Sequence, residues 1–330
     1  MKTAAYSIMQ PSFWLAYWTT MRPYLLFVSA AAGMVGFADG HQVPILTTAA
    51  VFIVFFLSYG FGQALTDCFQ MDTDTLSSPY RPLIRGEINR TQVLTVSLAG
   101  LGFCCLALFR LNPWTAAAGT ACVAGLATYT PFKRKWWAGP FYNAWIVALL
   151  PMMGKMAALA EGFSWHCLTG EGRLVLIMTG VFFSYANFVL MGYFKDVSAD
   201  RASGYRTFTV RFGWKKAAVV CDILALLSLA ATAWMFRSSF AEHAPDPSRR
   251  IPAVVLYLAA SVFLISGQIM IHRVRDEKAA HGPIADSVRG FLLLRLSEAV
   301  WIRPEWLVPS LTFYLFFEWV LSQRPERSQI

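Results

Sequence analysis

The chain has 330 residues, 56% hydrophobic and only 14% charged, against about 25% charged in soluble domains; this excludes an ordinary water-soluble globule. A net charge of +9 raises nucleic acid as a partner, but the basic residues sort by side of a membrane rather than into one patch, so no nucleic-acid partner is expected. The six cysteines form no CxxC pair, and neither a zinc site nor a disulfide frame is supported.

Apolar runs that approach the roughly 20 residues needed to cross a bilayer core fall at 24–38, 46–66, 91–109, 114–130, 140–160, 174–194, 217–236, 251–271 and 305–322. None shows the two-residue alternation of a barrel strand, and only helices or closed barrels satisfy the backbone inside lipid. The expected fold is therefore all-α: a polytopic membrane protein of nine transmembrane helices, forming a single domain over 1–330. Residues 12–23 read as an amphipathic lead-in to the first span, and no signal peptide precedes it.

Nine spans put the N-terminus and the second, fourth, sixth and eighth connections on one side. Those segments hold 20 of the 28 basic residues, so that side is expected to be cytoplasmic; in a bacterium the membrane would be the inner one. The opposite connections, among them EGFSWHCLTGEGR (161–173) and AEHAPDPSRR (241–250), carry turn residues and scattered charges without evident chemistry. Lys155 and Glu161, at the end of the fifth span, are expected to snorkel to the outer interface.

Two connections on the basic side differ in kind. In TDCFQMDTDTLSSPYRPLIRGEINR (66–90), a helix continuing from the second span would turn Asp67, Gln70 and Asp74 to one face, with Pro79 stopping it. In YFKDVSADRASGYRTFTVRFG (193–213), Asp196 and Asp200 stand four apart, and Gly204 offers a stop. Carboxylates sit badly at the C-terminal end of a helix, where the dipole favours cations, so a positive partner is expected. An oxygen-only donor set without His or Cys suits Mg²⁺, which is commonly shared between carboxylates and substrate phosphates. Arg81, Arg85, Lys133, Arg134, Lys195, Arg201 and Arg206 are near enough in sequence to hold further phosphate oxygens. With apolar, aromatic walls deeper in, such a site fits a lipid with a charged head.

Asn143 and Asn187 lie within spans, where amides tend to face the bundle interior; they either orient a second substrate or bond between helices. The stretch SVRGFLLLRLSEAVW (287–301), interrupted by Arg289, Arg295 and Glu298, reads as an interfacial helix at the cytoplasmic headgroups, with gating of a lateral entrance as a second possibility.

At the Asp-rich segments the chain resembles the UbiA superfamily of intramembrane prenyltransferases. The family's first motif, NDxxDxxxD followed by Arg-Pro, is matched in the register of Arg81-Pro82 by Thr66, Asp67, Gln70 and Asp74, with Thr in place of Asn and Gln in place of the middle Asp. Asp72 is the remaining carboxylate, although on an ideal helix it points about 140° from Asp67. The second motif is intact as Asp196, Asp200, Gly204 and Thr207, and a YxxxK element appears as Tyr129 and Lys133. The resemblance implies a bundle around a central cavity with a cytoplasmic cap, in which a prenyl chain passes from an isoprenoid diphosphate to an aromatic or quinonoid acceptor. It implies Mg²⁺ held by Asp67, Asp72, Asp74, Asp196 and Asp200, and a diphosphate clamp of Lys133 and Arg81 with Lys195, Arg201 and Arg206.

Two other readings remain open on sequence. A relative of the same superfamily that cyclises its prenyl diphosphate without an acceptor would carry the same motifs. A non-catalytic lipid transporter or binding protein is disfavoured by the lack of charged residues at mid-span. Oligomeric state is not legible.

Overall fold

The computed structural model describes residues 5–159, 172–238 and 250–323, and the expectations for Glu161 and Cys167 lie outside them. Its helices, in chain order, are α1 (Pro11–Met21), α2 (Leu26–Ala38), α3 (Ile45–Asp67), α4 (Met71–Ser77), α5 (Pro82–Arg85), α6 (Arg90–Leu111), α7 (Thr115–Lys135), α8 (Gly139–Leu159), α9 (Gly172–Gly192), α10 (Val197–Ala202), α11 (Phe208–Ser238), α12 (Ile251–Arg273), α13 (His281–Ile302) and α14 (Leu307–Ser322). No strand occurs among the described residues, so the all-α membrane architecture stands.

Local chemistry sets many of the boundaries. Pro11 opens α1, and Arg22, at φ +53, breaks it from α2 just before Pro23. Asn89 caps α6 in a reciprocal box with Gln92, which satisfies two donors that a helix start otherwise leaves bare. Gly213, at φ +78, breaks α11 near its beginning.

The count of nine spans is not confirmed. By length and hydropathy five described helices can cross a membrane, namely α3, α6, α9 with the turn to Lys195, α11 and α12; the α1–α2 pair, bent by 45°, makes a sixth. Three others are diluted by polar or small residues, Thr and Gly in α7, Asn143 and Lys155 in α8, and the charges of α13, while α14 is short at 16 residues.

The 287–301 segment is not interfacial. It lies in α13, which is buried along nearly its whole length. The strap before α13 meets α10 at the Asp-rich end through Glu277 and Ser198. Just beyond its other end Arg303 donates to the carbonyls of Ala38 at 3.0 Å and Gly40 at 2.6 Å, at the far end of α2. Twenty-two residues at about 1.5 Å each cover that distance, so α13 traverses the bundle. Its charges hid this in the sequence, and each is paired with an opposite charge. Arg295 pairs with Glu298 at 2.8 Å and donates to the Ile177 carbonyl, Glu298 accepts from Thr232, and Arg289 pairs with Asp286 and Glu318. The expectation of no charge at mid-span is thereby overturned, because partners on α9 and α11 remove the cost of bare charge.

α2 is the hub: every residue but Met34 is buried. It crosses α8 at glycines, where a Cβ on Gly36 would lie 1.8 Å from the Pro151 carbonyl oxygen and one on Gly154 2.0 Å from that of Gly33. α14 returns along α2, with Phe313, Phe316 and Phe317 around Phe27 at 5.0–5.6 Å. At the end of the bundle away from the Asp segments, Lys155 does not snorkel; it is buried against Asp39 at 2.8 Å, and Arg173 pairs with the same carboxylate.

Candidate active site

The helix of the second span does not run through the first acidic segment. α3 stops at Asp67, three residues turn, and α4 starts afresh at Met71. The second segment behaves alike: a 3-10 turn (Tyr193–Lys195) follows α9, and α10 begins after Asp196. Asp74 and Asp200 consequently sit in first turns, where the helix dipole favours an anion. The expected clash between carboxylates and a helix C-terminus therefore does not arise for these two. Ser78 ends α4 immediately before Pro79, and Gly204, at φ +75, ends the turn after α10, as the sequence indicates.

These short helices bring Asp67, Asp74, Asp196 and Asp200 to one cavity of about 800 Å³, also lined by Arg22, Arg81, Lys133 and Lys195. Four acids and four cations thus share one cavity. Arg22 Nη2 donates to both oxygens of Asp67 at 2.9 and 3.0 Å, and Gln63 Nε2 donates to Oδ1 at 2.8 Å. Arg81 pairs with Asp74 and lies 3.7 Å from Asp67. Lys133 Nζ is 3.4 Å from both Asp200 Oδ1 and Gln70 Oε1, and Thr207 donates to Asp200 Oδ2 at 3.1 Å. Burial raises the Asp74 carboxyl to about 6, with Arg81 opposing and Asp67 adding to the rise. Burial likewise raises Asp200, against the pull of Lys133.

Tyr129 and Lys133 share a face of α7. The Tyr129 hydroxyl is 2.9 Å from that of Tyr193, and Lys133 stands over the rings of Tyr193 and Tyr205 at 5.0 and 5.3 Å. Asn143 also lines the cavity, and its buried Oδ1 has no hydrogen-bond partner.

Six expected residues lie elsewhere, and two of them are Arg85, exposed and paired with Glu87 at 3.0 Å, and Arg134. Asp72 is 42% exposed and pairs with Arg134 and the Tyr205 hydroxyl outside the cavity, because the break after α3 resets the register. Arg201 and Arg206 are exposed and do not line the cavity. Asn187 faces Gln268, which donates to its Oδ1 at 3.3 Å. Of the aromatic residues near these segments, Phe188 and Tyr193 reach the wall, whereas Phe194 packs on Trp214 and the Tyr142 and Thr128 hydroxyls share a hydrogen bond.

Sequence reading missed Arg22, Gln63, Tyr59 and Tyr185. Two had a signal: Arg22-Pro23 repeats the dipeptide of Arg81-Pro82, and Gln63 precedes Asp67 by one helical turn. The two tyrosines, with hydroxyls 3.4 Å apart, are visible only once α3 and α9 are packed.

The polar cavity continues into an apolar one of about 790 Å³ between α3, α6, α7 and α8, and the two share Tyr59, Gln63, Thr66, Asn143 and Tyr185. Among the described residues no three of His, Cys, Asp and Glu converge to cage an ion by themselves. Two facing pairs of hard oxygen donors, one with a buried oxygen that no hydrogen bond satisfies, instead suit an ion that keeps waters and takes phosphate oxygens.

Residues 25–282 match the model of the UbiA prenyltransferase family. The digeranylgeranylglyceryl phosphate synthase of Thermococcus kodakarensis is 28% identical over 286 residues, covering 84% of this chain and 91% of that one. The chloroplastic chlorophyll synthase of Oryza sativa is 26% identical over 200 residues, 54% of this chain and 49% of that one. A UbiA homolog from Aeropyrum pernix superposes with a TM-score of 0.67 at 17% identity, over 80% of this chain and 94% of that one. One from Archaeoglobus fulgidus, solved bound to DMAPP and Mg²⁺, gives 0.61 at 17% identity, over 84% and 98%. With the match spanning most of its length and the same helical fold around the paired acids, the chain, a multi-pass integral membrane protein, belongs to the UbiA prenyltransferase family.

Proposed function

We propose that the protein transfers a prenyl chain from an isoprenoid diphosphate to an aromatic or quinonoid acceptor within the membrane, with Mg²⁺. The observation that carries this is the continuity of the two cavities: acids and cations surround one, hydrocarbon lines the other, and phenol and amide groups stand where they meet. An amphiphile with a phosphorylated head and a long tail matches both halves.

Asp67, Asp74, Asp196 and Asp200 would hold Mg²⁺, which when bound neutralises the diphosphate and lowers the barrier to its departure. Arg22, Arg81, Lys133 and Lys195 bind the remaining phosphate oxygens. Gln70 leaves this site one carboxylate fewer than the family pattern, and its carbonyl lies 3.4 Å from the Lys133 ammonium. As the C–O bond breaks, its electron pair goes to the diphosphate. The rings of Tyr59, Tyr185, Phe188 and Tyr193 face the allylic cation, each worth roughly 0.5–2 kcal/mol, while the apolar walls exclude water. Asn143 and the tyrosine hydroxyls suit the oxygen substituents of an acceptor ring, whose carbon forms the new bond and sheds its proton to the departed diphosphate.

The basic bias supports an orientation with the Asp-rich end in the cytoplasm, which in a bacterium places the protein in the inner membrane. The test uses purified protein in liposomes with Mg²⁺ and labelled geranyl diphosphate, alone or with hydroxybenzoate, a naphthoquinol or a glycerophosphate ether. Prenylation of a ring is expected. Terpene release without any acceptor would replace transfer by cyclisation, and turnover with the glycerophosphate alone would overturn the acceptor class.

The Asp74 carboxyl near 6 gives a pH prediction. A proton on Asp74 competes with the cation, so Mg²⁺ affinity in the presence of the diphosphate should be level above pH 7 and fall about tenfold per pH unit below 6. Calorimetric titration between pH 5 and 8 checks it, and a flat profile would contradict it.

A further inference from the structure

The two halves of the substrate part company in different solvents. A prenylated product is soluble in the bilayer and can leave through the apolar cavity, whereas the diphosphate anion cannot. The polar cavity therefore needs a second opening that faces water.

A groove of about 940 Å³ adjoins the polar cavity at the Asp-rich end, and the two share Ser77, Lys195 and Asp196. Its outer wall is the strap before α13, with Lys278 exposed. The strap is held to α10 by Glu277, which accepts from the Ser198 amide and, at 2.7 Å, from its hydroxyl. These bonds fix the Glu277 carboxylate against α10, and the Lys278 ammonium follows it in the chain at the outer end of the groove. Lys195 marks the inner end and Lys278 the outer.

Elsewhere among the described residues the cap is tied together. Asp72, Arg134 and Tyr205 join α4, α7 and the turn after α10, with the Arg134 guanidinium 4.8 Å over the Tyr205 ring. A recess of about 290 Å³ near Tyr24 and Tyr80 includes Arg22, Asp67 and Arg81 in its wall, so their ion pairs block it.

We propose that this groove binds inorganic diphosphate as it leaves, with Lys195 passing the anion outward and Lys278 holding it at the mouth. The proposal rests on the prenyl-transfer reading and adds a product site and route to it. Lys278 lies on an exposed strap outside the reacting cavity, so a change there should alter release without altering substrate binding.

The experiment compares wild type, Lys278→Glu and Lys278→Arg in liposomes with a labelled prenyl diphosphate, following prenylated product and released diphosphate separately. For Lys278→Glu, inhibition by added inorganic diphosphate should weaken about fivefold to tenfold. Steady-state turnover should fall severalfold behind a burst of one prenylated product per enzyme, with KM for the prenyl diphosphate within a factor of two of wild type. Lys278→Arg should restore all three. Unchanged inhibition and no burst would overturn the route; a parallel rise in KM would also overturn it, by making the groove part of the substrate site. If wild type releases no diphosphate from the substrate at all, the prenyl-transfer reading itself fails, which separates the two outcomes.

Discussion

Asp67→Asn is expected to lower kcat/KM for the prenyl diphosphate by about three orders of magnitude, the upper end of what removing a single electrostatic contact to a reacting anion costs. Asp67 is buried and receives three hydrogen bonds, two from Arg22 and one from Gln63. Asparagine keeps the shape and most of the packing, so the loss isolates charge. It removes a proposed metal donor from the first acidic pair and leaves Arg22 without its counter-ion in the same cavity. Asp196→Asn, on the opposite wall, should cost a similar amount, and the double variant less than the product of the two, because both act on one bound head group. Initial rates at saturating Mg²⁺, together with thermal unfolding to show that the variants remain folded, provide the measurement. Activity within tenfold of wild type in either single variant would remove these residues from the reaction. Asp72→Asn is the internal control: its carboxylate lies outside the cavity, and it should retain most of the rate.

Gly36→Ala should destabilise the fold by about 3 kcal/mol or more, at or beyond the usual cost of overpacking. A Cβ there would lie 1.8 Å from the Pro151 carbonyl oxygen, and one at Gly154 2.0 Å from that of Gly33. Both obstacles are backbone, so no side chain can swing aside and the helices themselves must separate. Close approach through small residues is how helices gain packing energy where lipid supplies no hydrophobic drive. The consequence reaches the site, because α8 carries Asn143 and the segment leading into α2 carries Arg22 and Leu25, all on the cavity wall. The thermal midpoint in detergent should drop by about 10 °C or more, with loss of monodisperse protein. Gly102→Ala on the exposed face of α6, where a Cβ meets nothing within 4 Å, should instead be neutral or slightly stabilising through helix propensity. Equal behaviour of the two variants would mean that the α2–α8 crossing is looser than described.

Much of this was legible in the sequence because it depends on local pattern. Long apolar runs must be helices in lipid, and oxygen-rich pairs flanked by Arg and Lys announce phosphate and Mg²⁺. Asp67, Asp74, Asp196, Asp200, Lys133 and Arg81 were found on that basis, and all six line the cavity. Where the reading failed, the deciding term was a distant partner. α13 looked interfacial because Arg289, Arg295 and Glu298 interrupt it, yet Glu318, Thr232 and the Ile177 carbonyl make those charges internal. Asp72 depended on a helix that instead breaks after Asp67.

By itself, then, the sequence determined that this chain lives in a membrane as helices, and it singled out four acidic residues that share one cavity, since both follow from solvent and residue chemistry alone. Only the tertiary structure decided that Arg22 and the Tyr59–Tyr185 pair join that site, that α13 runs through the core, and that the polar cavity adjoins an apolar one on one side and the Lys278 groove on the other. Those features arise from side chains tens to hundreds of residues apart meeting across packed helices, and the position of a partner on another helix is not written in the local pattern of either one.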